Sequence, residues 1–483
     1  MPTTLPPAAT QKLPAAGLML LLPGAAAAHS FGVIYTLPVP FWLYAWSASA
    51  ALIVSFLIVA LFATQPALPA QPLATETATA HQLPGWLLWL LRVLSLAALL
   101  LCIVTGLMGT ANPYGNFNMT FFWIVFVLGF AYLTAVVGDL YARISPFRSL
   151  AAPLPAEGLW RYPQALGYTP ALVFYAGFLW LELFGGASPR LLSQCLLGYS
   201  LITLIGCRLF GARDWLHHGE FFAVFLRLIA RLAPVQFVDA DSGRFHWRWP
   251  FAGLRGPAPA HWTLLLFVLS MLSSTAFDGL HEAQVWTSWF WGTLYRDVFS
   301  QWLGSNPIAA FPRLQALYGY WQLGWLLLSP WIYCAVYLAG IGLMRLLLGR
   351  AHSLMKLATA FMPSLLPIVL VYHLSHYYTL IETQGIRIIA LASDPLGRGW
   401  NLFGTAQWFQ RQFVPDSAVV WHVQVGLILI GHIVSVYVAH LIALDLLQDR
   451  RRATLSQLPM LALMVAFTVL GLWILSLPMG ATR

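Results

Sequence analysis

Long runs of apolar residues, separated by short polar connections, recur along the whole chain. A helix that crosses a bilayer needs about 20 consecutive, mostly apolar residues. The pattern predicts ten such spans, so the expected fold class is all-α, a polytopic integral membrane helical bundle. The predicted spans cover residues 39–63, 86–108, 119–138, 168–185, 191–211, 262–279, 318–346, 357–380, 420–446 and 457–477.

Composition excludes an ordinary soluble protein. Hydrophobic residues make up 59% of the chain and charged residues 8%, whereas soluble domains carry about 25% charged residues. The net charge of +9 comes mainly from loops between apolar spans, where basic residues set membrane topology. We therefore expect the lipid bilayer, and no nucleic acid, as a partner.

The N-terminus has the pattern of a secretory signal peptide. Lys12 precedes a short apolar run over residues 13–22, and small residues lead to Ala28. This predicts a signal peptide over residues 1–28 and a single transmembrane domain over residues 29–483. Cleavage would expose His29, whose α-amine and imidazole together can chelate a metal ion, typically copper. The alternative is that His29 has no such role.

Charge asymmetry gives an independent prediction of orientation. A cleaved signal puts the mature N-terminus outside, and the predicted inner loops then hold sixteen Lys and Arg residues against seven in the outer segments. Basic residues are concentrated in cytoplasmic loops of membrane proteins. The expected location is therefore the inner (cytoplasmic) membrane of a bacterium, as a multi-pass protein with its mature N-terminus outside.

Two long connections have patterns of their own. The inner connection, about 213–249, has apolar residues at helical period with Arg227 and Arg231 at the edges, which predicts an interfacial amphipathic segment. The outer connection, about 281–311, is rich in tryptophan and other aromatic residues, as expected for an outer loop at the membrane interface.

Ionisable residues at membrane depth are the first place to look for function, because such groups are costly in hydrocarbon. His373 and His376 are three residues apart, so one helix face could present both imidazoles to one metal ion. The predicted topology puts several further groups on the same outer side. The candidate metal ligands are His29, His281, His373, His376 and His422, and the candidate catalytic bases are Glu382 and Asp278.

Two histidines of the ninth span lie deeper. His422 and His440 are eighteen residues apart, which corresponds to a rise of about 27 Å, so they cannot bind one ion. His432 and His440 are instead candidate cofactor-binding residues, as heme ligands. The alternatives are proton-relay groups and polar packing contacts.

Several segments resemble a bacterial family of polytopic membrane proteins labelled fenitrothion hydrolase. These are Ser-Asp-Pro-Leu-Gly-Arg-Gly-Trp-Asn-Leu-Phe-Gly-Thr-Ala at 393–406, Gly-His-Ile-Val-Ser-Val-Tyr-Val-Ala-His at 431–440, and His-Ser-Phe-Gly at 29–32. The resemblance extends over most of the chain, but Thr36 and Asn401 stand where the family often has an acid. It implies hydrolysis of organophosphorus triesters by cleavage of a P–O aryl ester.

The leading hypothesis is therefore a membrane-embedded, metal-dependent organophosphorus triester hydrolase with an outward-facing site. A zinc or copper ion would activate water against a small apolar substrate. One alternative is a copper- or heme-handling membrane protein that acts in transport or assembly. Another is a proton-coupled transporter that uses Glu182 and the histidines of the ninth span as relay groups.

Overall fold

The computed structural model describes residues 39–63, 81–239, 242–256, 261–350, 352–409, 415–447 and 449–477. Within these ranges, ten helices are long and apolar enough to cross a membrane. The prediction of an all-α polytopic bundle is confirmed, and the chain is a multi-pass membrane protein. The predicted signal peptide and His29 lie outside the described residues.

The ten long helices follow the predicted spans closely. In chain order they are α1 (Phe41–Phe62), α2 (Gly85–Met108), α3 (Phe117–Val137), α4 (Thr169–Phe184), α5 (Pro189–Phe210), α6 (Trp262–His281), α7 (Pro307–Leu347), α8 (Leu354–Thr383), α9 (Ser417–Leu447) and α10 (Arg450–Ser476). In α3, Thr120–Phe130 is π-helical, and α8 contains the 3₁₀ turn Met362–Leu365.

Shorter elements fill the connections. The short helices are Tyr141–Ile144, Pro146–Ala151, Ala212–His218, Phe221–Ala230, Gln284–Ser288, Trp289–Phe299, Ser300–Leu303 and Ile388–Ser393. The 3₁₀ turns are Pro113–Gly115, Gln164–Leu166, Ala252–Leu254 and Gly385–Arg387. Strands β1 (His81–Gln82), β2 (Val235–Phe237) and β3 (Arg244–Trp247) form an antiparallel sheet in the order β1-β3-β2, with Val235 opposite Trp247 and His81 opposite Phe245.

Helix α6 lies at the centre of the bundle. One apolar cluster includes residues from all ten long helices, and α6 is buried along almost its whole length. In contrast, α1 and α2 expose most of their apolar side chains, as expected for helices that face lipid. Polar residues of α6 therefore face other parts of the protein.

Helix α7 begins eleven residues before the predicted span. Asn306 caps it by accepting hydrogen bonds from the backbone N–H groups of Ile308 and Ala309, and Pro307 occupies the first helical position. Its 41 residues extend about 60 Å, twice the hydrocarbon thickness of about 30 Å. Much of the connection over 281–311 is helical, and Trp286 packs against Trp321 of α7 with ring centroids 4.3 Å apart.

The connection between α5 and α6 is largely packed into the protein. Its helix Phe221–Ala230, called the short helix, contacts α3, α4 and α8, and Phe221, Phe222 and Leu226 are buried. The helix predicted from the apolar period is present, but its basic residues also form hydrogen bonds within the protein. Arg227 donates to the His217 carbonyl at 2.6 Å. The interfacial position of the rest of this segment stays a prediction.

One end of the bundle is rich in arginine. Arg231 donates to the Gly256 carbonyl at 2.6 Å, and Arg248 donates to the Ala233 carbonyl at 2.8 Å. Arg255 forms a salt bridge with Asp445 of α9 at 2.7 Å. We call this the arginine-rich end. Helices α4, α6 and α8 finish at the opposite end, where Asp278, His281 and His376 lie close together.

Candidate functional site

The site is built on the polar second half of α6. Ser270, Ser273, Ser274 and Thr275 follow an apolar first half, and their hydroxyls bond to carbonyls of the same helix, as Ser270 does to Leu266 at 2.7 Å. Small side chains allow neighbouring helices to approach closely. Tyr175 of α4 uses this space, with its hydroxyl 3.1 Å from Ser274 Oγ.

Asp278 is the centre of a hydrogen-bond network between α6 and α8. The residue is 4% exposed, and its Oδ2 lies 2.9 Å from His376 Nε2 and 2.5 Å from the donating hydroxyl of Tyr377. A buried carboxylate is tolerated when hydrogen-bond donors replace water. The network therefore supplies the donors that the membrane interior lacks.

His281 joins the network from the last turn of α6. Its Nδ1 lies 2.7 Å from the Asp278 carbonyl oxygen and 3.7 Å from Asp278 Oδ1. Because a carbonyl oxygen can only accept, this contact assigns the proton to Nδ1. We call Asp278, His281, His376 and Tyr377 the Asp278 network.

A narrow internal cavity of about 20 Å³ adjoins the network, which is room for about one water molecule. Asp278, Glu182 of α4 and His373 of α8 all line it. Part of its wall comes from the π-helical stretch of α3, through Phe126 and Val127. π-Helical turns are frequent at functional sites.

A second cavity, of about 110 Å³, shares Glu182 and Tyr377 with the first. It is lined further by Leu380 and Gln384, toward the end of α8. Glu182 thus lines both the internal cavity and this wider cavity, which lies near the end of the bundle opposite the arginine-rich end.

His373 is held separately from the Asp278 carboxylate. Its Nδ1 lies 3.0 Å from the hydroxyl of Tyr132 on α3, and its ring packs 4.8 Å from the Tyr377 ring. The imidazole is thereby fixed on the wall of the internal cavity.

Glu282 follows α6 directly and adds a third carboxyl group beside the network. Burial, and to a smaller extent the nearby Asp278 carboxylate, raise the pKa of Glu282 to about 7 against the opposing effect of His376. Near neutral pH this carboxyl group therefore exchanges a proton readily.

The structure brings some predicted site residues together and separates others. Asp278, His281 and His376 meet in one network, with His373 on the adjoining cavity. Glu382 is exposed, and so is His422, whose Nδ1 bonds to the Ala418 carbonyl of its own helix at 2.6 Å. Neither residue belongs to the Asp278 network, so the catalytic role predicted for Glu382 and the metal-binding role predicted for His422 remain predictions.

The deep histidines of α9 are buried but have different partners. His432 is 2% exposed, and its Nδ1 lies 2.8 Å from the Ile428 carbonyl of the same helix. His440 Nδ1 accepts from Gln457 Nε2 at 3.0 Å. Each contact satisfies the Nδ1 atom of its imidazole, whereas the Nε2 atoms of both residues are buried without a hydrogen-bond partner among the described residues. Heme ligation by either residue stays a prediction.

A metal ion fits the Asp278 network incompletely. Two ligands of one zinc ion, each at about 2.0 Å, lie about 3.3 Å apart, which is close to the 2.9 Å between His376 Nε2 and Asp278 Oδ2. Tyr377, however, also bonds to that oxygen. Within the described ranges, no group of three or more His, Cys, Asp or Glu side chains is arranged to hold a metal ion.

Sequence reasoning missed the tyrosines. Tyr377 and Tyr132 bond directly to Asp278 and His373, but aromatic residues in a membrane protein are expected first as interfacial anchors or core. The available signal was the position of Tyr377 directly after His376.

Comparison of the chain with models of known protein families, with curated proteins and with solved structures finds no match.

Proposed function

We propose that the protein is a proton-coupled membrane transporter in which Asp278 binds the coupling proton. The observation that carries this proposal is the buried hydrogen-bond network that joins Asp278 to His376 and Tyr377 beside a water-sized cavity. Ionisable residues within transmembrane segments mark proton and substrate pathways. Following the positive-inside rule, the arginine-rich end is cytoplasmic in this proposal.

Protonation would act on the contacts between helices. The carboxylate of Asp278 on α6 attracts the His376 imidazole of α8. A proton on Asp278 removes the negative charge and with it most of this attraction. Binding of a proton also relieves repulsion between Asp278 and Glu182 of α4, which interact electrostatically. Loading and release of one proton would thus change how three helices hold together, which is the requirement for coupling to movement.

The test measures proton uptake by the purified full-length protein in liposomes that contain a pH-sensitive dye, driven by a potassium diffusion potential. Asp278→Asn keeps the size of the side chain and removes its proton-binding capacity, so the initial rate should fall roughly 100-fold. Asp297→Asn is the matched control, because the Asp297 side chain is 52% exposed outside the network. Uptake that persists unchanged in Asp278→Asn would rule the proposal out.

A second candidate is the metal-dependent hydrolysis of organophosphorus triesters implied by the family resemblance. The separation of 2.9 Å between His376 Nε2 and Asp278 Oδ2 favours it, since these two atoms would hold the ion. A bound ion would supply Lewis-acid activation of water. Metal analysis of the purified protein, with Asp278→Asn for comparison, separates the candidates. Two results together would favour the hydrolase. The purified protein would hold a stoichiometric metal ion that Asp278→Asn loses, and it would release the aryl alcohol from a phosphotriester.

A further inference from the structure

Glu220, in the connection between α5 and α6, is a fully buried carboxyl group that the Asp278 network does not include. Its side chain is 0% exposed. Oε1 accepts a hydrogen bond from the Tyr199 hydroxyl of α5 at 2.6 Å and from the Phe222 backbone N–H at 3.0 Å. Oε2 accepts from the Ala223 backbone N–H at 2.8 Å. Glu220 therefore caps the short helix in the interior of the protein.

The internal cavity extends from the Asp278 network toward Glu220. Phe221 and Phe222, the two residues that follow Glu220, line the same cavity as Asp278 and Glu182. The Tyr199 hydroxyl, which donates to Glu220, accepts from the Phe221 backbone N–H at 3.0 Å. The buried carboxyl group therefore belongs to the residue that immediately precedes two residues of the cavity wall.

Polar groups continue along the cavity wall on the Asp278 side of the Phe221 and Phe222 rings. The hydroxyls of Ser274 and Tyr175 are 3.1 Å apart, and Ser274 lies one helical turn before Asp278. Tyr175 packs against Phe221 with ring centroids 6.1 Å apart. Hydrogen-bonding groups therefore adjoin Phe221 and Phe222 on the Asp278 side, through Tyr175 and Ser274, and on the Glu220 side, through Tyr199.

The surroundings of Glu220 suit reversible protonation. The titratable groups that face it are Tyr199 of α5, Tyr141 of the helix after α3, and Cys207 of α5. Burial raises the pKa of Glu220 to about 7, and its hydrogen bonds to Tyr199 and to the backbone of the short helix oppose that rise. The carboxyl group is thus able to gain and lose a proton near neutral pH.

We propose that Glu220 is the second proton-binding group of the transporter, and that it exchanges protons with Asp278 through the internal cavity when Phe221 and Phe222 separate. This inference rests on the proposed function. In the transfer, the O–H bond of the Asp278 carboxylic acid breaks and the proton passes to cavity water. The resulting hydronium ion then protonates the Glu220 carboxylate, so that water is regenerated and no other reactant is required.

Tyr199 would be a positioning residue for this step. Its hydroxyl donates to the ionised carboxylate and so favours release of the proton. A purely structural role for Glu220, as the cap of the short helix, requires a hydrogen-bond acceptor but no titration. The two roles can therefore be separated by a substitution that keeps an acceptor and removes the acid.

The experiment compares Glu220→Gln, Asp278→Asn and the exposed control Glu157→Gln in the liposome assay of proton uptake. Infrared spectroscopy of the same samples follows the C=O band of protonated carboxyl groups against pH. Glu220→Gln keeps an amide oxygen as cap acceptor, and we expect a rate roughly tenfold lower. We also expect loss of one of two carboxyl bands that titrate near pH 7, the other being the band of Glu282. Glu157→Gln should change neither.

The rates of proton uptake in the two variants test the role of Glu220 and the proposed function separately. Loss of uptake in both Asp278→Asn and Glu220→Gln supports the inference. Loss in Asp278→Asn with normal uptake and an unchanged infrared titration in Glu220→Gln overturns the role of Glu220 but leaves the proposed function intact. Normal uptake in Asp278→Asn overturns both, whatever Glu220→Gln does.

A second variant covers the case in which Glu220→Gln fails to fold. Tyr199→Phe leaves the Glu220 carboxyl group in place and removes one donor to its ionised form. We expect the midpoint of the carboxyl titration to rise by about one pH unit. An unchanged midpoint would overturn the inference, because a group that titrates in contact with Tyr199 must respond to loss of its hydroxyl.

Discussion

Helices α8 and α9 each carry two buried or partly buried histidines, yet the two pairs differ in their partners. His376 of α8 contacts the Asp278 carboxylate of α6, and His373 contacts Tyr132 of α3. His432 of α9 bonds to the carbonyl four residues before it in its own helix, and His440 bonds to Gln457 of α10. The α8 pair meets ionisable groups from two other helices, whereas the α9 pair meets carbonyl and amide groups.

This difference teaches that depth in the membrane does not by itself mark a histidine for chemistry. Any imidazole in hydrocarbon needs a hydrogen-bond partner, and a backbone carbonyl or an amide can supply one. A carboxylate partner adds a group that can change charge within the same contact. The α8 pair is therefore the better candidate for proton transfer, and the α9 pair is better explained by packing.

The largest expected effect separates the two helices directly. His376→Gln removes the imidazole from the Asp278 carboxylate and should lower the rate of proton uptake roughly 100-fold. His432→Gln is the matched substitution in α9 and should change the rate less than about twofold, because its partner is a carbonyl of the same helix. An equal fall in the rate of proton uptake in the two variants would contradict the difference between the histidines of α8 and those of α9.

A packing substitution in α9 should lower the stability of the protein. A Cβ atom on Gly431 would lie 2.1 Å from Val371 Cγ2 of α8, so Gly431→Val forces the two helices apart. The expected cost is about 3 kcal/mol of unfolding free energy, measured as a lower thermal midpoint in detergent. An unchanged thermal midpoint would contradict the close packing of α9 against α8 at Gly431.

Adjacent tyrosines of α8 provide a smaller and sharper test. The Tyr377 hydroxyl donates to the Asp278 carboxylate at 2.5 Å, whereas the Tyr378 hydroxyl donates to the Val420 carbonyl at 3.4 Å. Tyr377→Phe should cost about 2 kcal/mol of unfolding free energy, since it removes a bond to a charged acceptor, and Tyr378→Phe less than about 0.5 kcal/mol. Similar losses would contradict the assignment of Asp278 as the centre of the site.

The smallest expected effect is a dependence of stability on pH. The pKa of Glu282 in the folded protein is raised to about 7 by burial, so its protonated form favours the folded state. This contribution is present at low pH and is lost as pH rises through about 7. Glu282 is partly exposed, so the loss should be about 1 kcal/mol. Glu282→Gln should flatten the fall in thermal midpoint between pH 5 and pH 8, and an unaltered slope would contradict the raised pKa.

The sequence predicted only part of the candidate site. The predicted topology placed His376 and Asp278 on the same side of the membrane, and the structure has them 2.9 Å apart. The same topology grouped Glu382 and His422 with them, but both are exposed. Depth along a helix follows from residue number, whereas the rotation of each helix around its axis depends on which neighbours pack against it.

The sequence by itself determined the class of the protein and the positions of the ten long helices among the described residues. An apolar run of membrane length must satisfy its backbone hydrogen bonds internally, so a helix follows from composition and length alone. Tertiary structure decided the rest: the central place of α6, the burial of the short helix, and the meeting of Asp278, His376 and Tyr377. These contacts join residues 98 and 99 positions apart. They arise because many side chains across the bundle must pack at once, and no local pattern of residues specifies that packing.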